Sequence, residues 1–288
     1  MKTMTPLSCF FLCLLLFPQV VLAGASCPPG EVDESVLAVA YQGGEKLSYR
    51  ISWSGGPKIG EMHLELTRVP GAADRYQLQA RVQDSGLFHF FYPVDDTFTT
   101  VVEGKRRLPV SYEVHQKEGR DYQALRFSEY DQENGVVRYR KNDLEPVEYE
   151  VEGQVHNEFS SFFISRVLQL DPEQDVTVST FADGKRHEVV VQCSEPFLAE
   201  GTLLGDVQVV AVTPLMNFKG LYNKDGDTVI WLTDDACRVP VRIESKILIG
   251  SLTAELVSYS NPLCNIHPEC HEKSTEETED GKNLEQGD

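Results

Sequence analysis

At 288 residues, with 41% apolar and 9% aromatic side chains, the chain can bury a core and is too apolar to be disordered throughout. Its 45 acidic side chains against 26 basic ones give a formal net charge of −19. So acidic a surface repels phosphate backbones and anionic headgroups, which argues against a nucleic-acid partner and against polybasic docking on a membrane.

Residues 1–25 read as a cleavable signal peptide. Lys2 supplies the positive start, residues 7–16 the apolar run, and Ala23-Gly24-Ala25 a small-residue cleavage site. The run is too short to span a bilayer, and no other stretch approaches the length of a membrane helix. The expectation is an exported protein with no integral membrane segment after cleavage. Cys27 follows the cut. A lipobox wants a large aliphatic residue three positions earlier, and Gly24 stands there, which argues against a lipid anchor on Cys27.

From Leu47 onward the hydrophobic period is two. Leu47, Tyr49, Ile51 and Trp53 alternate with polar residues, as do Met62, Leu64 and Leu66, then Tyr76, Leu78, Ala80 and Val82. Turn signals separate the runs: Gly55-Gly56-Pro57, Pro70-Gly71, Asn134-Gly135, Asp183-Gly184 and Asp225-Gly226. The predicted fold class is mainly β, an antiparallel meander forming curved sheets.

One segment breaks the rhythm. Asn157 can cap an amphipathic helix over 157–170, with Phe159, Phe162, Phe163 and Val167 at helical spacing and Asp171-Pro172 as its stop. A lone helix among strands is expected to cover an open sheet face or edge.

An internal echo relates Arg107-Leu108-Pro109-Val110 to Arg238-Val239-Pro240-Val241 at a constant offset of 131 positions. It fits either duplication of one meander, giving lobes at 44–153 and 172–259 within a β-rich domain at 26–259, or convergence of two hairpins. Beyond 259 comes a Cys/His segment, and 274–288 reads as an acidic, disordered tail.

Catalytic and metal motifs are absent or incomplete. There is no G-x-S-x-G elbow, no H-E-x-x-H and no glycine-rich phosphate loop. The acid pairs Asp95-Asp96 and Asp234-Asp235 read as solvated turn residues, because neighbours on a strand point to opposite faces. Asn223 to Asp227 starts like a calcium loop but runs into a strand. Cys264, His267, Cys270 and His271 could hold a metal, yet exported cysteines favour disulfides. No metal, cofactor or catalytic residue is assigned. The disulfide candidates are Cys193, Cys237, Cys264 and Cys270; with Cys27 the mature count is odd, and the connectivity stays open.

Several segments together resemble the exported bacterial proteins catalogued as domain of unknown function 3108. They are Gly44-Glu45-Lys46-Leu47-Ser48-Tyr49 with Ile59-Gly60, Asn157-Glu158-Phe159-Ser160-Ser161-Phe162-Phe163 with Arg166, and Ile230-Trp231-Leu232-Thr233-Asp234-Asp235 with Arg238-Val239-Pro240-Val241. The resemblance spans about 44–259. It implies a periplasmic or cell-envelope location and brings no catalytic residues with it.

Two functional readings follow. The first is a non-catalytic envelope protein that binds a lipid, a polymer or a protein partner, with Trp53, Phe88, Phe91, Phe218 and Tyr222 as candidate binding residues. Aromatics run consecutively from Phe88 to Tyr92 around His89, so both faces of that segment are expected to be covered by protein. The alternative is an enzyme acting on envelope polymers or lipids, with Asp96, His89 and Glu158 meeting in space.

Overall fold

The computed structural model describes residues 27–216, 228–246 and 250–272. The signal segment, Phe218, Tyr222, the turn at Asn223 to Asp227 and the tail 274–288 lie outside them.

The described chain is mainly β. Helix α1 (Glu34–Ala40) precedes strands β1 (Glu45–Trp53), β2 (Lys58–Arg68) and β3 (Arg75–Asp84). Then come β4 (Asp95–Glu103), β5 (Leu108–Glu118), β6 (Tyr122–Asp131), β7 (Val136–Lys141), β8 (Val147–Glu150) and β9 (His156–Asn157). Helix α2 (Glu158–Ile164) follows, and after it β10 (Val176–Ala182), β11 (Lys185–Cys193), β12 (Phe197–Thr202) and β13 (Gly205–Leu215). The last strands are β14 (Thr228–Thr233), β15 (Pro240–Lys246), β16 (Ser251–Ser260) and the two-residue β17 (Cys270–His271).

Antiparallel neighbours run from β8 back through β7, β6, β5, β4, β3 and β2 to β1, as the short turns require. There the sheet crosses in sequence, because β1 also pairs with β16. From β16 it continues through β15, β14, β13 and β11 to β10, which takes β9 in parallel.

The inward stripes are those the alternation predicts. Leu47, Tyr49, Leu64, Leu66, Tyr76, Leu78 and Ala80 are buried in one core with Phe98, Val102 and Val114. Further along the same strands Ile51, Met62 and Val82 are only partly buried. The core gives out towards that end of the sheet.

Helix α2 departs from expectation in two ways. Its cap is as predicted: Asn157 Oδ1 accepts from Ser160 N at 2.7 Å, while Ser160 Oγ accepts from Asn157 N at 3.0 Å. The helix nevertheless stops at Ile164 and passes through a 3-10 turn, Ser165–Val167, well before Asp171-Pro172. The backbone is captured by a partner the local sequence does not reveal: Leu168 bridges Val32, Asp33 N donates to Val167 O, and Gln169 N donates to Glu31 O. Nor does the helix cover an outer face. Glu158, Phe159, Ser160, Ser161, Phe163 and Ile164 are all buried, against β4, β9 and β10, so the curved sheet wraps around it.

Helix α1 was not predicted, although Asp33 caps it through Ser35 N and Val36 N ahead of an apolar run. Order also continues past Tyr259 to Glu272. The Cys237–Cys264 disulfide, the β16–β17 pairing and the Arg50–Glu272 ion pair at 2.8 Å tie that segment to the sheet.

The two echoing hairpins close in the same way. Arg107 and Arg238 both lie in the left-handed region, at φ of 50° and 43°, and each donates its N–H to the carbonyl three residues earlier. In both, a bulge follows at the proline.

Candidate functional site

Where the core gives out, the sheet encloses an apolar cavity of about 430 Å³. Its walls are Ile51 and Trp53 of β1, Met62 of β2, Val82 of β3, and Ile243, Leu252 and Ala254 of β15 and β16. The register explains the opening. Ile51 pairs with Gly60, and Gly60 with Asp84, so one inward row contains a residue without a side chain. A Cβ on Gly60 would lie 2.6 Å from the Gln83 carbonyl oxygen, so the close strand approach there admits only glycine.

The aromatic segment after β3 forms the cavity's lip. It folds as a 3-10 turn, Gly86–Phe90, which rotates successive side chains away from one another. Phe88 turns in and meets the Tyr92 ring edge-on at 6.5 Å, and both line the cavity. Phe90 and Phe91 project outward, 71% and 79% exposed. The expectation that protein covers both faces of this segment is therefore wrong. A single helical turn cannot place adjacent aromatics on one side.

Polar groups gather at the lip. Asp84 accepts from Val94 N at 2.5 Å through Oδ1 and meets His89 Nδ1 at 2.8 Å through Oδ2. Tyr92 donates to Glu118 Oε2 at 3.1 Å. Behind them Asp96 is fully buried rather than a solvated turn residue, accepting from Lys117 N at 2.9 Å. Burial pushes its carboxyl up to about 6; the Lys117 N–H opposes this and the neighbouring Glu118 adds to it. The Tyr92 hydroxyl is raised by burial and by Glu118.

Glu158 belongs to a different cavity, of about 170 Å³, lined by Tyr112, Arg126, Tyr130, Tyr139, Tyr149 and Phe181 among others. No lining residue is shared with the apolar one. Burial raises its carboxyl to about 7, with Arg126 opposing and Asp183 adding. Hence Asp96, His89 and Glu158 do not converge: His89 serves Asp84 at the lip, while Glu158 faces the other cavity.

Of the candidate binding residues, Trp53 and Phe88 line the apolar cavity and Phe91 stands exposed beside it. Phe218 and Tyr222 fall outside the described residues. Of the four disulfide candidates, Cys237 bonds to Cys264, while Cys193 and Cys270 are free thiols on β11 and β17. The remaining members of the Cys/His segment have separate partners, His267 on Asp235 at 2.8 Å and His271 on Ser258 at 2.7 Å. Among the described residues no three His, Cys, Asp or Glu side chains gather as a metal site. Sequence reading missed Ile243, Leu252 and Ala254, because a half-buried position on a strand looks the same whether protein or ligand covers it.

Comparison with known proteins gives a family and a fold. The family DUF3108, described as "Protein of unknown function", matches residues 48–257. A crystal structure of a beta-barrel-like protein of domain of unknown function DUF1849 from Brucella abortus superposes with a TM-score of 0.53 at 11% identity. That match covers 77% of this chain and 98% of the other. The hypothetical protein CT021 from Chlamydia trachomatis aligns at a TM-score of 0.39 and 6% identity, over 84% of this chain and 98% of its own. No curated protein matches the chain.

Proposed function

The chain belongs to the DUF3108 family, and we propose that it is a non-catalytic carrier or sensor of a lipid, taking one acyl chain into the apolar cavity between β1, β2, β3, β15 and β16. The observation behind this reading is the cavity itself. It is about 430 Å³, within the range that encloses a small ligand, and its walls offer a chain almost nothing to hydrogen-bond.

Each methylene buried there contributes about 0.8 kcal/mol. A run of about ten contributes about 8 kcal/mol, against an association cost that starts at about 4 kcal/mol. Phe90 and Phe91 supply a second support. Two exposed phenyl rings beside a cavity mouth suit contact with a bilayer surface, from which the chain would enter past Phe88 and Tyr92. Asp84 and Glu118 at the mouth favour a neutral, zwitterionic or cationic headgroup over an acidic one. The working place that fits is the periplasm or the cell envelope, supported by the signal-like first 25 residues and the paired cysteines.

The test is lipid capture from vesicles of phosphatidylethanolamine and phosphatidylglycerol, followed by native mass spectrometry of the re-isolated protein. Wild type should carry one phosphatidylethanolamine. Val82→Trp, which fills the cavity, should carry none while keeping its circular dichroism spectrum. Wild type without bound lipid would defeat the proposal.

A further inference from the structure

We propose that the second cavity is a separate binding site for a small zwitterion of amino-acid size. Its ammonium would meet Glu158 and the surrounding tyrosine rings, and its carboxylate would meet Arg126. The site is built by inward-facing residues of β5 to β8 and β10, closed by the first residue of α2. The ring of Tyr149 lies on Gly184, where a Cβ would stand 2.8 Å from it, so a glycine in the β10–β11 turn sets that wall. At about 170 Å³ the space equals about six waters at ~30 Å³ each.

Two of the residues that line this small space each bury a polar atom without a hydrogen-bond partner among the described residues: Glu158 Oε2 and Arg126 Nε. Glu158 is only 7% exposed. Groups so placed are rare in folded proteins and costly to leave unpaired, more so when charged. Arg126 is near enough to hold the Glu158 carboxyl down against its burial, yet among the described residues no hydrogen bond joins Glu158 Oε2 to Arg126 Nε. Arg126 is instead oriented by Gln116, whose Oε1 accepts from Nη2 at 2.9 Å, and this leaves Nε for something else.

The aromatic walls narrow the choice. Tyr130 and Tyr149 pack around Phe181 at 6.3 and 5.5 Å, and Tyr139 and Tyr112 complete the lining. Ring faces beside a carboxylate attract an ammonium group. A plain amine would still face the Arg126 charge, and a plain acid would face Glu158. A molecule carrying both charges suits both lining side chains at once.

Isothermal titration of the full chain with glycine, L-alanine and β-alanine, against ethylamine and propionate, tests this. At least one zwitterion should bind with 1:1 stoichiometry, and about tenfold or more tighter than either singly charged probe. Glu158→Gln and Tyr139→Leu should each weaken it by about tenfold with the melting curve still cooperative. Leu198→Ser, at an exposed position of β12 outside both cavities, should leave it unchanged. Ethylamine binding as tightly as the zwitterions would overturn the role of Arg126. Absence of saturable binding by all three zwitterions would overturn the site and leave it a water-filled pocket. Neither result bears on lipid capture.

Discussion

Arg166, in the turn after α2, grips Glu45, the first residue of β1, through two hydrogen bonds of 2.6 and 2.7 Å, with both side chains almost wholly buried. The same guanidinium donates to the carbonyls of Cys237 at 2.9 Å and Arg238 at 2.6 Å. One side chain thus ties the inner helix to the strand where the sheet crosses in sequence and to the disulfide-bearing turn before β15.

Breaking one half of such a pair leaves a buried charge uncompensated, which costs about 3–5 kcal/mol. Glu45→Gln and Arg166→Met should each lower the unfolding free energy, extrapolated from urea titration, by that much. The double variant should lose less than the sum, since it removes both charges. A Glu45→Gln loss below about 1 kcal/mol would show that the pair is not a clamp.

The stability of the protein should respond to Asp96 in an unusual direction. Its folded carboxyl titrates at about 6, above the unfolded value of 3.8, so its contribution is intact below pH 3.8 and declines as pH rises through 6. The shift is worth about 3 kcal/mol. Asp96→Asn, which can still accept from Lys117 N, should therefore stabilise the protein at pH 8 and leave it unchanged near pH 4. Urea titrations at the two pH values decide; an equal effect at both would refute the assignment.

His156 works in the opposite sense. Burial, helped by Arg106, holds its imidazole down at about 3, below the usual 6.5. Its contribution is present above pH 6.5 and lost as pH falls towards 3. Wild type should therefore weaken on acidification through pH 6, and proton NMR should find the His156 ring neutral at pH 5.

The Cys237–Cys264 bond closes a 27-residue separation, for which loop entropy gives about 3–4 kcal/mol. A non-reduced peptide map should recover these two cysteines linked. Cys193, raised by burial to about 11, and Cys270, also raised by burial, should alkylate slowly at pH 8. Paired Ser substitutions at 237 and 264 should lower the unfolding free energy from urea titration by the stated amount. Recovery of all described cysteines as thiols from exported material would contradict the pairing.

Phe90 and Phe91 bury little, so Phe90→Ser with Phe91→Ser should change stability by less than about 0.5 kcal/mol. The same variant should acquire lipid from vesicles several-fold more slowly than wild type, with the same final loading. An unchanged rate would remove the lip from the proposal.

The sequence by itself determined the strands, their inward stripes and the Asn157 cap, because these rest on contacts within a few residues: alternation, turn chemistry and capping. It also brought out Trp53 and Phe88, whose size and spacing stand out locally. Only the tertiary structure decided that α2 is wrapped by the sheet and ends early. The bridge from Leu168 to Val32 spans 136 positions, and nothing near Leu168 announces it. The two cavities are tertiary for the same reason. Ile51 and Ala254, or Arg126 and Glu158, become neighbours only through the path of the curved sheet. A void is the absence of side chains there, which no single stretch of sequence records.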